Sequence, residues 1–300
     1  MCSGGDALMK RKMSGYTLVE LMVALVLGLI IVLVAVQMLL AGQRSVAFQN
    51  AVLNVQDNAN IGLNYIVTDL KHANLNLINR DMKSTGVSGL VVSDSNYPAN
   101  ITTNRRLSSS AASGSPSLTE DESDVLVIQY KPNLAKGYDC EGEAITSPNE
   151  VIVQRYFLRR DTNGARFDLA LACDAGRYAN TETATTITGF NNSGQIIMQR
   201  VDQFKVLVGV QNISTKNLSY MTLAQFAAVP ASNNLRAVSL QIGILARSLD
   251  NAGADTEEKL DYTLLNIPQV IDKPDEMKAR YIRIPVEQTI ALKNGLGEHL

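Results

Sequence analysis

Apolar positions are continuous in the first part of the chain and periodic in the next. From Leu21 to Ala41 only Gly28 and Gln37 interrupt an apolar run, and at about 1.5 Å per residue a helix of that length crosses the roughly 30 Å hydrocarbon layer of a bilayer. Beyond it Phe48, Val52, Val55, Ala59, Gly62, Ile66, Leu70 and Ala73 recur at spacings of three and four, with Gln, Asn, Asp and Lys on the other faces. That is the stripe of an amphipathic helix. The pattern predicts one helix from about Tyr16 to about Asn76, membrane-spanning over 16–43 and amphipathic over 44–76, its second half packed on a sheet. Gly28, Gly42 and Gly62 are the candidate bending points.

After Asn76 the period changes. Residues 74–104 have mixed polarity and suit an irregular connection with a short strand at 90–93, and the Ser, Ala and acid-rich stretch 108–122 reads as a mobile loop. Asp124–Tyr130, Val151–Arg159 and Arg166–Cys173 are β-branched or alternating runs, the last two joined by a hairpin marked by Asn163-Gly164. Gln195–Val210 reads as one long strand with Val201, Phe204, Val206 and Val208 in the core. Thr222 is placed to cap a short helix through Ala228 that Pro230 ends. Leu235–Arg247 alternates as a central strand, 251–260 is a polar excursion, and a last strand begins at Arg280 and runs to Leu292, with Pro285 arguing for an edge or a bulge. A long helix followed by antiparallel strands is an α+β ladle, residues 77–300 forming one elaborated sheet domain.

One carboxylate stands out. Glu20 sits at the head of the apolar run, where a charge is expensive: about 2.5–3.5 kcal/mol for Asp, Lys or Arg at the centre of a membrane helix. Only the preceding segment, with Lys10, Arg11 and Lys12, offers opposite charge nearby. Those bases put the N-terminus on the cytoplasmic side and the residues after Arg44 outside the inner membrane. A secretory signal would carry its small-residue cleavage site after the apolar core, whereas Gly15 stands before it, so the run should be retained. Cys2 precedes the bases and so does not fit a lipidated cysteine, which follows an apolar stretch; Met9 opens a compact basic leader, so the first eight residues read as an over-extended start.

Gly15 followed by Tyr16-Thr17-Leu18-Val19-Glu20-Leu21 resembles the class III signal of type IV pilins and type II secretion pseudopilins. The resemblance implies that residues 1–15 are a leader, that a prepilin peptidase cuts between Gly15 and Tyr16, and that the new N-terminus at Tyr16 is methylated. Glu20 then becomes the fifth residue of the mature chain, one helical turn from an amine. In an assembly, one subunit's Glu20 would pair with a neighbour's Tyr16 amine inside the bilayer. The family's usual first residue is Phe, and Tyr16 departs from it conservatively.

Further blocks resemble PilW-type minor pilins: Ser123–Ile128, Tyr138-Asp139-Cys140-Glu141-Gly142, Val151–Arg159, Leu171-Ala172-Cys173, Val201–Val206 and Thr289–Asn294. This likeness implies a pilus-tip position beside other minor pilins, the major pilin and a large tip adhesin, with roles in pilus assembly, twitching motility and DNA uptake. It implies a single-pass inner-membrane protein with a periplasmic domain before assembly, and a place in the surface fibre afterwards. Pseudopilin J of a type II secretion system shares the architecture; the long loops at 108–122 and 251–260 favour the pilus version. A periplasmic binding or enzymatic domain on an uncleaved anchor is the alternative from a different class.

Composition changes little else. Without the leader the chain keeps 24 basic and 28 acidic side chains, a formal charge of −4, so no direct nucleic-acid site is evident. Cys140 and Cys173 remain once Cys2 goes with the leader, and an even pair in an exported domain reads as a disulfide, two buried thiols being the alternative. His72 and His299 are the only histidines, too few for a catalytic triad or a histidine metal site. Gly86-Val87-Ser88-Gly89 lacks the lysine of a phosphate loop. The acids Glu120, Asp121, Glu122 and Asp124, and Asp250, Asp255, Glu257 and Glu258, match no calcium loop and read as solvated. Tyr65, Tyr130, Tyr156 and Tyr281 read as core tyrosines. The chain is therefore expected to be no enzyme and to need no cofactor.

Overall fold

The computed structural model describes residues 15–77, 82–112, 115–191, 193–230, 232–252 and 257–295. The leader upstream of Gly15, with Cys2, Lys10, Arg11 and Lys12, lies outside them, as do Asp255 and His299. By its contacts the chain divides into two units, one ending at Phe48 and one beginning at Gln49. A single helix, α1 (Leu18–Leu70), contributes to both.

In the first unit every described residue is exposed. This stretch of α1 is long and apolar enough to cross a membrane, and Gly28 and Gly42 have open space around them. In the second unit the same helix is amphipathic, and the predicted stripe holds from Val55 onward, whereas Val52 is only half-buried and Phe48, which ends the first unit, is exposed. Ala51, Val55, Ala59, Gly62, Leu63, Ile66 and Leu70 form its buried stripe. Gly62 belongs to that stripe because a Cβ there would strike the Met198 side chain. The helix ends at Leu70, short of the expected Asn76. Residues 71–76 are turns in which Asn74 and Asn76 adopt φ of 66° and 53°, a left-handed geometry that asparagine tolerates and a helix does not.

The expected single sheet is two. The first has the antiparallel order β1 (Leu126–Tyr130), β2 (Glu150–Arg160), β3 (Leu169–Ala179), β4 (Gln195–Gln199). The second has the order β10 (Arg283–Ala291), β7 (Leu235–Arg247), β5 (Val201–Asn212), β6 (Leu218–Thr222), and β8 (Asp261–Leu264) with β9 (Ile267–Val270) forms a separate hairpin. β7 is central and Pro285 lies on the edge strand β10, both as expected. The strand expected from Gln195 to Val210 breaks at Arg200, whose φ of 56° turns the chain out of one sheet and into the other. Thr222 caps the short helix α2 (Leu223–Ala227) through reciprocal bonds with Gln225.

One apolar core joins the end of α1 to both sheets, with Ile66 and Leu70 among Leu126, Tyr156, Phe204, Val206, Ile242 and Ile244. A smaller cluster covers the other face of the first sheet, where Tyr97, Ile101 and Val91 pack on Val127, Val153 and Tyr178. The described part of 108–122 is tied down by backbone hydrogen bonds rather than forming the mobile loop expected. Ser108, Ser109 and Ala112 donate backbone hydrogen bonds to Val91, Val125 and Ser123, while Leu118 and Glu120 donate to Asp202 and Val270.

Where the chain changes sheets, charges interleave in the interior. Asp161 meets Arg200 at 3.2 Å, Arg200 meets Asp168 at 3.1 Å, and Asp168 meets Arg247 at 2.8 Å. Arg247 meets Asp202 at 2.8 Å, Asp202 meets Arg283 at 2.7 Å, Arg283 meets Glu258 at 2.8 Å, and Glu258 meets Lys273 at 2.5 Å. The side chains of Asp202, Arg247 and Arg283 are wholly removed from solvent. Such ions are tolerated inside only when each is paired and hydrogen-bonded, and here Asp168, Asp202 and Glu258 each lie between two bases. The row ties the β2–β3 loop, the sheet switch, β5, β7 and β10 to one another.

Candidate subunit-assembly site

Tyr16 and Thr17 precede α1, and Tyr16 is 85% exposed. The helix starts where it does because Thr17 caps it. Its hydroxyl accepts the Glu20 N–H at 3.3 Å and its carbonyl accepts the Leu21 N–H at 3.2 Å. Thr17 and Glu20 thus have the spacing of a capping pair, a Thr followed three residues later by Glu. Glu20 is the acid of the first turn, where the unpaired helix N–H groups favour negative charge. The spacing Thr17-Leu18-Val19-Glu20 carries this cap signal in the sequence itself.

Glu20 is exposed, and the residues that follow it, from Leu21 through Leu40, present apolar side chains to the exterior. An acid at the end of such a surface is a group that a neighbouring apolar helix would bury together with its counter-charge. Tyr16 stands four residues before it, one turn away.

The expected cysteine pair is bonded. Cys140 and Cys173, 33 residues apart, have a Cα–Cα distance of 6.0 Å and are both buried. Cys173 lies in β3 and Cys140 in the loop that follows β1. Charges flanking the bridge fix that loop. Asp139 accepts the N–H groups of Glu141 and Glu143 and a 2.5 Å bond from Arg177. Glu141 accepts the Ala175 N–H at 2.9 Å, and burial raises its carboxyl above the ordinary range against that bond. Tyr65, which is 42% exposed and so not the core residue expected, donates its hydroxyl to the Cys140 carbonyl at 3.1 Å. Tyr130 and Tyr156 are buried as expected; Tyr281 is half-buried, before β10 begins, with its ring 4.5 Å from the Arg247 guanidinium. His72 stacks against Tyr130 at 5.4 Å.

Among the described residues the acidic groups do not converge. Asp124 is buried and accepts the Ala111 and Val206 N–H groups at 2.8 Å each, away from solvent, and Glu258 is taken by Arg283 and Lys273. Among the described residues no three His, Cys, Asp or Glu side chains are placed to share a metal ion.

Two family models match. The prokaryotic N-terminal methylation motif matches residues 10–36, which include Tyr16, Glu20 and most of the exposed apolar stretch. The model described as type IV pilus-assembly protein W matches residues 155–294, from β2 through β10. Together these matches support a type IV minor pilin of the PilW type. This pilin therefore works in type IV pilus assembly among other pilus components, and its apolar helix fits a membrane-anchored subunit. The PilW blocks at Ser123–Ile128 and Tyr138–Gly142 fall before the matched span. A type IV-like pilin from Thermus thermophilus is similar in structure at 13% identity and a TM-score of 0.40, covering 80% of this chain and 97% of that one. No curated protein matches the chain.

Proposed function

We propose that this pilin is a non-enzymatic minor subunit of a tip-located complex that primes pilus assembly, and that it acts with other minor pilins, the major pilin and a large tip adhesin. Through the pilus it supports twitching motility and DNA uptake. A prepilin peptidase cuts after Gly15, the amine of Tyr16 is methylated, and the helix enters the filament from the inner membrane.

The carrying observation is Glu20: an exposed acid four residues after Tyr16, at the head of an exposed apolar helix within the methylation motif. In a bilayer a lone carboxylate is costly, and an ammonium group supplied by the next subunit removes the cost while fixing the axial register between helices. Membrane insertion and filament entry are then separable. Glu20→Ala is expected to leave the protein in the membrane fraction at wild-type level and to deplete it about tenfold or more from sheared filaments, the loss of one charge-assisted contact of about 1.5–3 kcal/mol. Equal recovery of Glu20→Ala and wild type in filaments would overturn the role of this residue.

A further inference from the structure

β6 is the exposed edge of the second sheet and is built for pairing on its outer side. The Asn212 N–H bonds the Asn217 carbonyl at 2.9 Å, so Asn217 faces β5. In the antiparallel register that follows, with Val210 opposite Ser219 and Val208 opposite Met221, Ser219 and Met221 also face β5. Leu218 and Tyr220 must therefore direct both their N–H and C=O groups away from the sheet. The next outward group, the Thr222 N–H, is already taken by the Gln225 side chain at 2.9 Å, which closes the open edge at that end.

The side chains suit a visitor too. Leu218 is 67% exposed and Tyr220 49% exposed, both on the face opposite the core, while Met221 packs inward. A Cβ on Gly209 would come within 2.9 Å of the Tyr220 ring, so the glycine of the neighbouring strand makes room for that ring. Soluble proteins blunt edge strands with charge, proline or a covering loop; Leu218-Ser219-Tyr220-Met221-Thr222 has neither charge nor proline. The other edges are treated differently. Gly89 and Val91 exchange backbone bonds with Gln129 and Val127 along β1, the Asn58 side chain donates to the Gln199 carbonyl on β4, and β10 carries Pro285.

Charge points to the partner's chemistry. From Gln203 to Leu249 the chain has no Asp or Glu, while Lys216 is exposed in the turn that opens β6. We propose that β6 adds an extended segment of a neighbouring pilin subunit to the second sheet, through the backbone groups of Leu218 and Tyr220, and that this segment carries an acidic residue beside Lys216. The proposal rests on the assembly role given above. It supplies a contact outside the membrane, where Glu20 has no reach, and main-chain pairing of this kind gives affinity while the side chains select the partner.

Proline separates this from a structural role. At Leu218 it removes an outward N–H and no β5–β6 bond, whereas at Ser219 it removes an inward one. Full-length Leu218→Pro is expected to melt within about 2 °C of wild type in micelles and to be depleted about tenfold from filaments. Lys216→Glu should reduce recovery several-fold and Lys216→Arg should not. Should Leu218→Pro unfold, hydrogen exchange of the wild-type chain decides: the Leu218 and Tyr220 amides should exchange about tenfold or more slowly in filaments than in micelles. Full recovery of a folded Leu218→Pro variant, or equal exchange in filaments and micelles, overturns the proposal. So does protection of these amides in a dimer of the purified chain alone, which would assign the edge to self-pairing. Absence of the wild-type chain from filaments would instead refute the assembly role itself.

Discussion

Replacing Asp202 by alanine removes the shared acceptor at the centre of the buried row of charges. Arg247 loses its 2.8 Å partner and Arg283 its 2.7 Å partner, although both guanidiniums stay fully enclosed. Arg247 retains Asp168 and Arg283 retains Glu258. Burial disfavours a charged Arg247, and Asp202 and Asp168 together more than offset it, holding its pKa above the ordinary value; without Asp202 only Asp168 remains to offset the burial cost. Breaking a buried pair on one side costs about 3–5 kcal/mol. At about 2–4 °C per kcal/mol for a domain of this size, Tm should fall by about 6–20 °C. The control is the exposed pair Arg166–Glu276, 3.5 Å apart with both side chains mostly in solvent. Glu276→Ala should cost under about 1 kcal/mol. Thermal unfolding of the full chain in micelles, followed by circular dichroism in the β-sheet region, measures both. Equal shifts for the two variants would refute the reasoning, because the row would then be worth no more than a surface pair.

Two substitutions and one further pH dependence follow from the same structure. Cys140→Ser with Cys173→Ser opens a loop closed over 33 residues, and on the loop-entropy relation should destabilise by about 4 kcal/mol, read as a lower urea midpoint that reduction reproduces in wild type; an unchanged midpoint would contradict it. The Asp69 carboxyl is raised above its ordinary 3.8 chiefly by burial, against the Tyr156 hydroxyl that donates to it at 2.9 Å. Its folded form therefore binds a proton before the unfolded chain does, and its ionised form weakens the fold at neutral pH. Asp69→Asn should raise Tm at pH 7 with the gain vanishing as pH falls through 3.8, and a loss at pH 7 would contradict the assignment. Glu258 has the opposite sign: its basic partners hold it below 4.5 despite burial, so its contribution is present above 4.5 and lost as pH falls through the folded value.

The long helix, the central strand β7, the cap at Thr222, the cysteine pair and the motif around Glu20 were legible because each is a local pattern or a count. The break at Arg200 was not. Gln195–Val210 is apolar and β-rich on both sides of it, and the left-handed turn is held by Asp161 and Asp168, which lie far away in the chain. Asp202, Arg247 and Arg283 look like surface charges in sequence; only the tertiary pairing shows why strands of the core carry them. One signal was available, since Asp202 sits between Val201 and Phe204 in a strand otherwise bound for the interior. β6 escaped notice because an edge strand need not alternate. The hairpin of β8 and β9 escaped because its turn uses Leu265 and Asn266 at φ of 52° and 62°, without the glycine that usually announces such a turn.

The central claim is that Glu20 brings a processed Tyr16 terminus and this sheet domain into a filament. Mass spectrometry of sheared filaments tests it most directly. Wild-type filaments should yield a peptide of this chain beginning with N-methylated Tyr16, depleted by about tenfold or more when Glu20 is alanine. Filaments that lack the chain, or contain it with an N-terminus upstream of Tyr16, would contradict it.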